Sequence, residues 1–147
     1  MEKTNVDNKE LEKRDWTVRE VSMLSPLQLA YVGDAVYEVF IRTHLLENKK
    51  VSVNDLHKKA IGFVKAEAQS NIIHEIMDKL TEEEVSIVKR GRNTKSGTVP
   101  KNANITDYRY ATGFEALVGY LYLLKRQNRI EEIFSMIIEN EGTLRRE

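Results

Sequence analysis

Two acids stand where charge is least expected. Asp34 lies inside the apolar stretch 26–47, and Glu115 is the one charge between Tyr110 and Leu124. An ionised carboxylate in apolar surroundings must be paired, hydrogen-bonded or bound to a metal, because isolated burial is costly. Small residues attend both acids. Gly33 precedes Asp34, and Ala111 and Gly119 lie one turn to either side of Glu115. Small side chains let a second helix or a ligand come close. Carboxylates converging from separate helices are a standard way to hold a hard divalent cation such as Mg²⁺. The same spacing suits two structural acids bonded to backbone N–H, Tyr or Arg, and spacing alone does not separate the readings. The pattern occurring twice weighs toward function. Glu38, one turn after Asp34, is a candidate for the same site. It also stands four residues before Arg42, the stabilising order for a helical ion pair, and the spacing favours that pair.

A second chemical feature is hidden by the overall charge. The 147 residues hold 23 Lys+Arg and 23 Asp+Glu, so the formal net charge is zero. Yet Val85–Thr106 contains Lys89, Arg90, Arg92, Lys95 and Lys101 and no acid. That stretch carries +5 and the remainder −5. Gly91, Gly97, Asn93, Ser96, Thr98, Asn102 and Asn104 accompany the cations. Such residues let a backbone approach phosphate and offer bonds to phosphate or ribose oxygens. A solvated flexible loop is the competing reading. Arg19 and Arg109 are candidates to extend the patch. His44, His57 and His74 lack metal-ligand spacing, and there is no Walker loop, dinucleotide fingerprint or serine triad context.

The elements that must position these residues read as helices. Ser25-Pro26 starts a helix expected over about Pro26–Glu47. On a helical wheel it is apolar almost all round, so it is expected to be central and buried. Helices follow over about 54–64 and 65–79. Thr81 and Glu84 make a capping box for a short helix ending near Gly91. A loop covers 91–106, a long helix 107–126, and Asn128 with Glu131 form a second capping box for a last helix to about Asn140. No stretch reads as a strand. The expected architecture is all-α, a bundle of five to seven helices. Residues 1–21 are expected to be a charged, mostly disordered tail, 22–141 the folded domain, and 142–147 a C-terminal tail.

The hydrophobic fraction of 41% and charged fraction of 31% are ordinary for a soluble chain. With no cysteine there is no disulfide, thiol nucleophile or Cys-ligated metal. No signal peptide or membrane span is visible, so a cytoplasmic protein is expected.

Two segments resemble a known family. Leu29-Ala30-Tyr31-Val32-Gly33-Asp34-Ala35-Val36 is similar to the ribonuclease III signature. Ala111-Thr112-Gly113-Phe114-Glu115-Ala116-Leu117-Val118-Gly119 is similar to the second acidic motif of that domain. The motifs stand in the right order, about 80 residues apart. Gly91-Arg92-Asn93-Thr94-Lys95-Ser96-Gly97-Thr98-Val99-Pro100-Lys101-Asn102-Ala103 resembles the loop of the short bacterial branch, Mini-ribonuclease III, which lacks a separate double-stranded-RNA-binding domain.

The resemblance implies a helical endonuclease domain acting as a homodimer. It implies Mg²⁺-dependent cleavage of double-stranded RNA to 5′-phosphate and 3′-hydroxyl ends, in maturing large-subunit (23S) ribosomal RNA precursor. Asp34 and Glu115 match the catalytic, metal-holding acids, and Tyr31 an aromatic position of the dimer contact. Arg90, Arg92, Asn93, Lys95, Ser96, Lys101 and Asn102 are the residues expected to bind RNA. The wider family carries a glutamate at the position of Ala30 and an aspartate at that of Thr112, so a four-acid site is reduced here to two. The competing function is a ribonuclease-III-like module that holds RNA or a ribosomal partner without cutting. Retention of both acids argues against it.

Overall fold

Most helices begin where a side chain can satisfy free N–H groups. The computed structural model describes residues 15–48, 52–95, 99 and 101–146, with Asn48 and residues 141–146 described by backbone alone. Among them run α1 (Val18–Ser22), α2 (Pro26–Asn48), α3 (Val53–Val64), α4 (Ala66–Ile76), α5 (Glu82–Asn93), α6 (Ile105–Leu123) and α7 (Gln127–Arg146), with a 3-10 turn at Met77–Lys79. No strand occurs among the described residues, and the all-α expectation holds. Ser25 and Gln28 cap α2 reciprocally, at 3.1 and 2.9 Å. Thr81 and Glu84 do the same for α5, as their spacing predicts. Ser52 caps α3 and Asn104 caps α6 through the N–H groups of Asp55 and Asp107.

Helix α6 is the axis of the domain. Ala111–Phe114 and Ala116–Leu121 are all buried, and α2, α4 and α5 pack around them. Tyr37 of α2 is fully buried, meets Phe114 edge-on at 5.0 Å, and donates its hydroxyl to the Phe63 carbonyl at 3.2 Å. Phe40 stacks on Phe134 at 4.0 Å and so joins α7 to α2.

Glycines let α6 meet two neighbours backbone to backbone. A Cβ on Gly33 would collide with the Glu115 carbonyl oxygen, and one on Gly119 with that of Leu29. At the α5 crossing, a Cβ on Gly91 would lie 2.7 Å from the Gly113 Cα. Gly91 therefore sits inside α5 as a packing residue and does not end it. The helix continues to Asn93.

Polar ties fasten the end of α6 to the start of α5. Glu83 accepts from the Tyr120 hydroxyl at 2.7 Å and from Arg126 at 2.6 Å. Glu84 is buried and takes two bonds from Arg129, at 2.8 and 2.9 Å. Burial pushes the Glu84 carboxyl up, but Arg129 and the Thr81 N–H hold it below the usual carboxylate range. Arg129 also donates to the Lys79 carbonyl.

Four expectations need correction. The tail expected through residue 21 is too long: Thr17 caps α1, and Val21 is fully buried. Residues 1–14 lie outside the described residues. The expected box at Asn128 is absent, because α7 already starts at Gln127, after a left-handed Lys125 with φ 57°. Helix α7 runs past its expected end near Asn140, to Arg146. Finally, α2 is not buried all round. Tyr31 is 83% and Val39 66% exposed, and Asp34 itself is exposed.

Overpacking a helix crossing typically costs 1–3 kcal/mol and at times more, and here the obstacle is backbone; Gly119→Ala should therefore lose at least about 3 kcal/mol in urea unfolding. Gly62 has open space around it, so Gly62→Ala should leave stability equal or raise it by up to about 1 kcal/mol.

Candidate active site

The α2–α6 crossing sets the distance between the two acids. Gly33 lies against the peptide of Glu115, and Asp34 is the next residue on α2. The Asp34 and Glu115 carboxyl groups come within hydrogen-bonding reach. Asp34 is open to solvent and Glu115 is half-buried. Burial, the hydrogen bond with Asp34, and the negative charges of Asp34 and Glu38 push the Glu115 carboxyl up to about 9. The pair therefore keeps a proton at neutral pH when no cation is present.

Glu38 makes the ion pair its spacing favours. It accepts from Arg42 at 3.2 Å, the expected i,i+4 pair, and its charge also reaches Glu115. Its contribution to the acid field comes from tertiary placement, which helix spacing alone weighted too lightly.

Neither Ala30 nor Thr112 offers a carboxylate. Ala30 is buried, and Thr112 donates its hydroxyl back to the Tyr108 carbonyl at 3.0 Å. Among the described residues no group of three or more His, Asp or Glu side chains is arranged to hold a metal. The oxygen pair Asp34–Glu115 nonetheless fits a hard divalent cation: it is a close carboxyl pair, destabilised as two anions, that a positive charge would relieve.

The cations of the loop have unequal surroundings. Lys89, Lys95 and Lys101 are exposed, as are Asn93 and Asn102. Arg90 is exposed, with one Nη 3.5 Å from the Ser22 carbonyl. Arg92 is half-buried, and its guanidinium lies 5.7 Å from the centre of the Tyr110 ring. Ser96 lies outside the described residues. Sequence reasoning missed Tyr110 and its neighbour His74, whose rings are 4.1 Å apart. No local spacing links residues on separate helices.

Tyr31 lines an open apolar groove of about 780 Å³ with Val32, Val39, Phe40, Tyr122 and Phe134. Asp34 lines the same groove. No helix among the described residues is long and apolar enough to cross a membrane.

The family model of the ribonuclease III domain matches residues 27–126, a span that includes both acids and the basic loop. The chain belongs to the ribonuclease III family, the double-strand-specific endoribonucleases. Within it, the chain groups with the Mini-ribonuclease 3 proteins. It is 54% identical over 136 residues to Mini-ribonuclease 3 of Clostridium tetani, covering 87% of this chain and 90% of that one. It is 48% identical to Mini-ribonuclease 3 of Brevibacillus brevis, covering 90% and 100% of the two chains. A crystal structure of a Fusobacterium nucleatum protein superposes with a TM-score of 0.74 at 36% identity, covering 81% of this chain and 95% of that one.

The acid pair makes stability depend on pH. Folding raises the Glu115 pKa from 4.5 to about 9, so its contribution is full below 4.5 and is lost as the pH climbs toward 9. In chelating buffer, Glu115→Gln should melt near the wild type at about pH 5 and several degrees above it at about pH 9. A gap that stays flat over that range contradicts the raised carboxyl.

Proposed function

We propose that this chain cleaves double-stranded RNA as a homodimer, with Mg²⁺ held by Asp34 and Glu115, and that it matures large-subunit ribosomal RNA precursor in the cytoplasm. The observation that carries the catalytic reading is the close Asp34–Glu115 pair, two carboxyls brought together from separate helices. The ribosomal substrate and the compartment rest on the family alone.

When bound, Mg²⁺ supplies a Lewis acid that activates water and offsets charge on the scissile phosphate. The chain's own residues do the rest. Asp34, open to solvent, and Glu115, fixed on the central helix, supply two carboxylate oxygens at a backbone-set separation. With only two matched acids, a Mg²⁺ ion held there would keep water ligands, which suits an ion that dehydrates reluctantly. Glu38 adds negative charge beside them, and Arg42 steadies it. Arg90, Asn93, Lys95, Lys101 and Asn102 are the proposed grip on the duplex. Recognition through phosphate and 2′-hydroxyl follows shape more than sequence.

The apolar groove around Tyr31 supports the homodimer. An exposed apolar patch of this kind marks an interaction surface. Asp34 also lines it, so a partner docked there would bring a second acid pair near the first, one for each RNA strand.

Asp34→Asn should retain fold and duplex binding yet lose cleavage by at least about 100-fold, since a metal ligand that activates water is removed. Incubating both proteins with a long RNA duplex, with and without Mg²⁺, checks this, and efficient cutting by the variant rules the site out. For the loop, Lys95→Ala with Lys101→Ala should flatten the dependence of log affinity on log salt by about 1.5 to 2 units. An unchanged slope means the loop does not clamp phosphate.

A further inference from the structure

At the root of the basic loop three side chains from three helices form a stack. Arg92 is in the last turn of α5, Tyr110 in the second turn of α6, and His74 near the end of α4. The guanidinium lies over one side of the Tyr110 ring at 5.7 Å, and the imidazole packs against the same ring at 4.1 Å, tilted by 47°. His74 is itself oriented, with Nδ1 2.7 Å from the Ser70 carbonyl. Arg92 donates from Nε to the Asn93 side chain at 3.1 Å, so the stack also orients an exposed amide at the loop's start. Thr94 closes the turn, bonding the Arg90 carbonyl through its hydroxyl at 2.7 Å and the Gly91 carbonyl through its N–H at 3.2 Å.

The crossing of Gly91 with Gly113 explains why these groups meet. Backbone contact there brings α5 and α6 close together. Arg92 follows Gly91, and Tyr110 lies three residues before Gly113, so the two flank the same point of contact.

We propose that Arg92 is a positioning residue and not a phosphate ligand: held on Tyr110, which is backed by His74, it fixes the direction in which the loop carrying Lys95 and Lys101 leaves α5. This rests on the reading that the loop grips RNA. Charge counting alone groups Arg92 with the lysines, but its surroundings separate it. The lysines are exposed and Arg92 is half-buried on an aromatic face. A fixed exit from α5 leaves less freedom to be lost when RNA binds, so the stack acts on affinity without adding a contact to RNA.

The test uses the full chain and a long RNA duplex. A cation–π contact of this kind supports a loss of about three- to ten-fold in affinity for Arg92→Met and for Tyr110→Leu. Both should raise KM with kcat near the wild type, and both should leave the salt slope unchanged. The double variant should be no weaker than the worse single one, because both break one stack. Tyr110→Phe, which keeps the ring, should restore affinity. Hydrogen exchange at the Thr94 amide, read without RNA, should quicken in Arg92→Met and Tyr110→Leu alike. The proposal is overturned if Arg92→Met alone lowers the salt slope by about one contact while Tyr110→Leu binds normally. It is equally overturned if the two losses add, or if Thr94 exchange does not change. The Lys95→Ala, Lys101→Ala control separates the failures: an unchanged slope there defeats the RNA reading of the loop, while the exchange readout still judges the stack.

Discussion

Helices α2 and α6 touch backbone to backbone at Gly33 and Gly119, and the rest of the site depends on that contact. A glycine inside a helix costs about 1 kcal/mol relative to alanine. Gly33, Gly91, Gly113 and Gly119 all lie within helices, so the two crossings accept that cost four times. In return α6 gains two neighbours at a separation no larger residue allows. One contact sets the acid pair beside it. The other sets Arg92 against Tyr110.

Electrostatics follow the same division. The acid pair occupies one crossing and the cationic stretch begins at the other, so one helix carries the geometry of both. Glu115 is half-buried and crowded by Asp34 and Glu38, which makes the site unstable as three separate anions. At the start of α5 the opposite holds. Glu83 and Glu84 meet Arg126 and Arg129 and are satisfied within the chain. The satisfied acids and the crowded pair are thus distinguished by their partners. A buried pair such as Glu84 with Arg129 is costly to break, by about 3–5 kcal/mol when one member is removed.

Much of this was legible in the sequence. Caps at Ser25 and Thr81 located two helix starts, because cap chemistry is local. Both acids stood out by being alone among apolar residues. What failed was whatever depended on another element. The wheel marked α2 as apolar all round, yet a wheel does not say whether a face meets the chain's own core, and Tyr31 and Val39 face outward. Gly91 read as a terminator because its other use, contact with Gly113, lies 22 residues away. Asn128 read as a cap, but the left-handed Lys125 and the bonds from Arg126 and Arg129 start α7 earlier. Arg92 counted as a free cation until Tyr110 was placed beside it.

A crossing made of backbone has no rotamers. Where larger side chains separate two helices, the gap fluctuates as those side chains change conformation. At Gly33 and Gly119 there is nothing to change, and the carbonyls of Leu29 and Glu115 are the spacers. The freedom left to the acid pair is mostly that of its own short χ angles. Most of the entropy needed to gather two carboxylates is therefore lost during folding, before any ligand arrives. The acid pair is thus gathered by the fold itself, as a rigid jaw and not as a hand that closes.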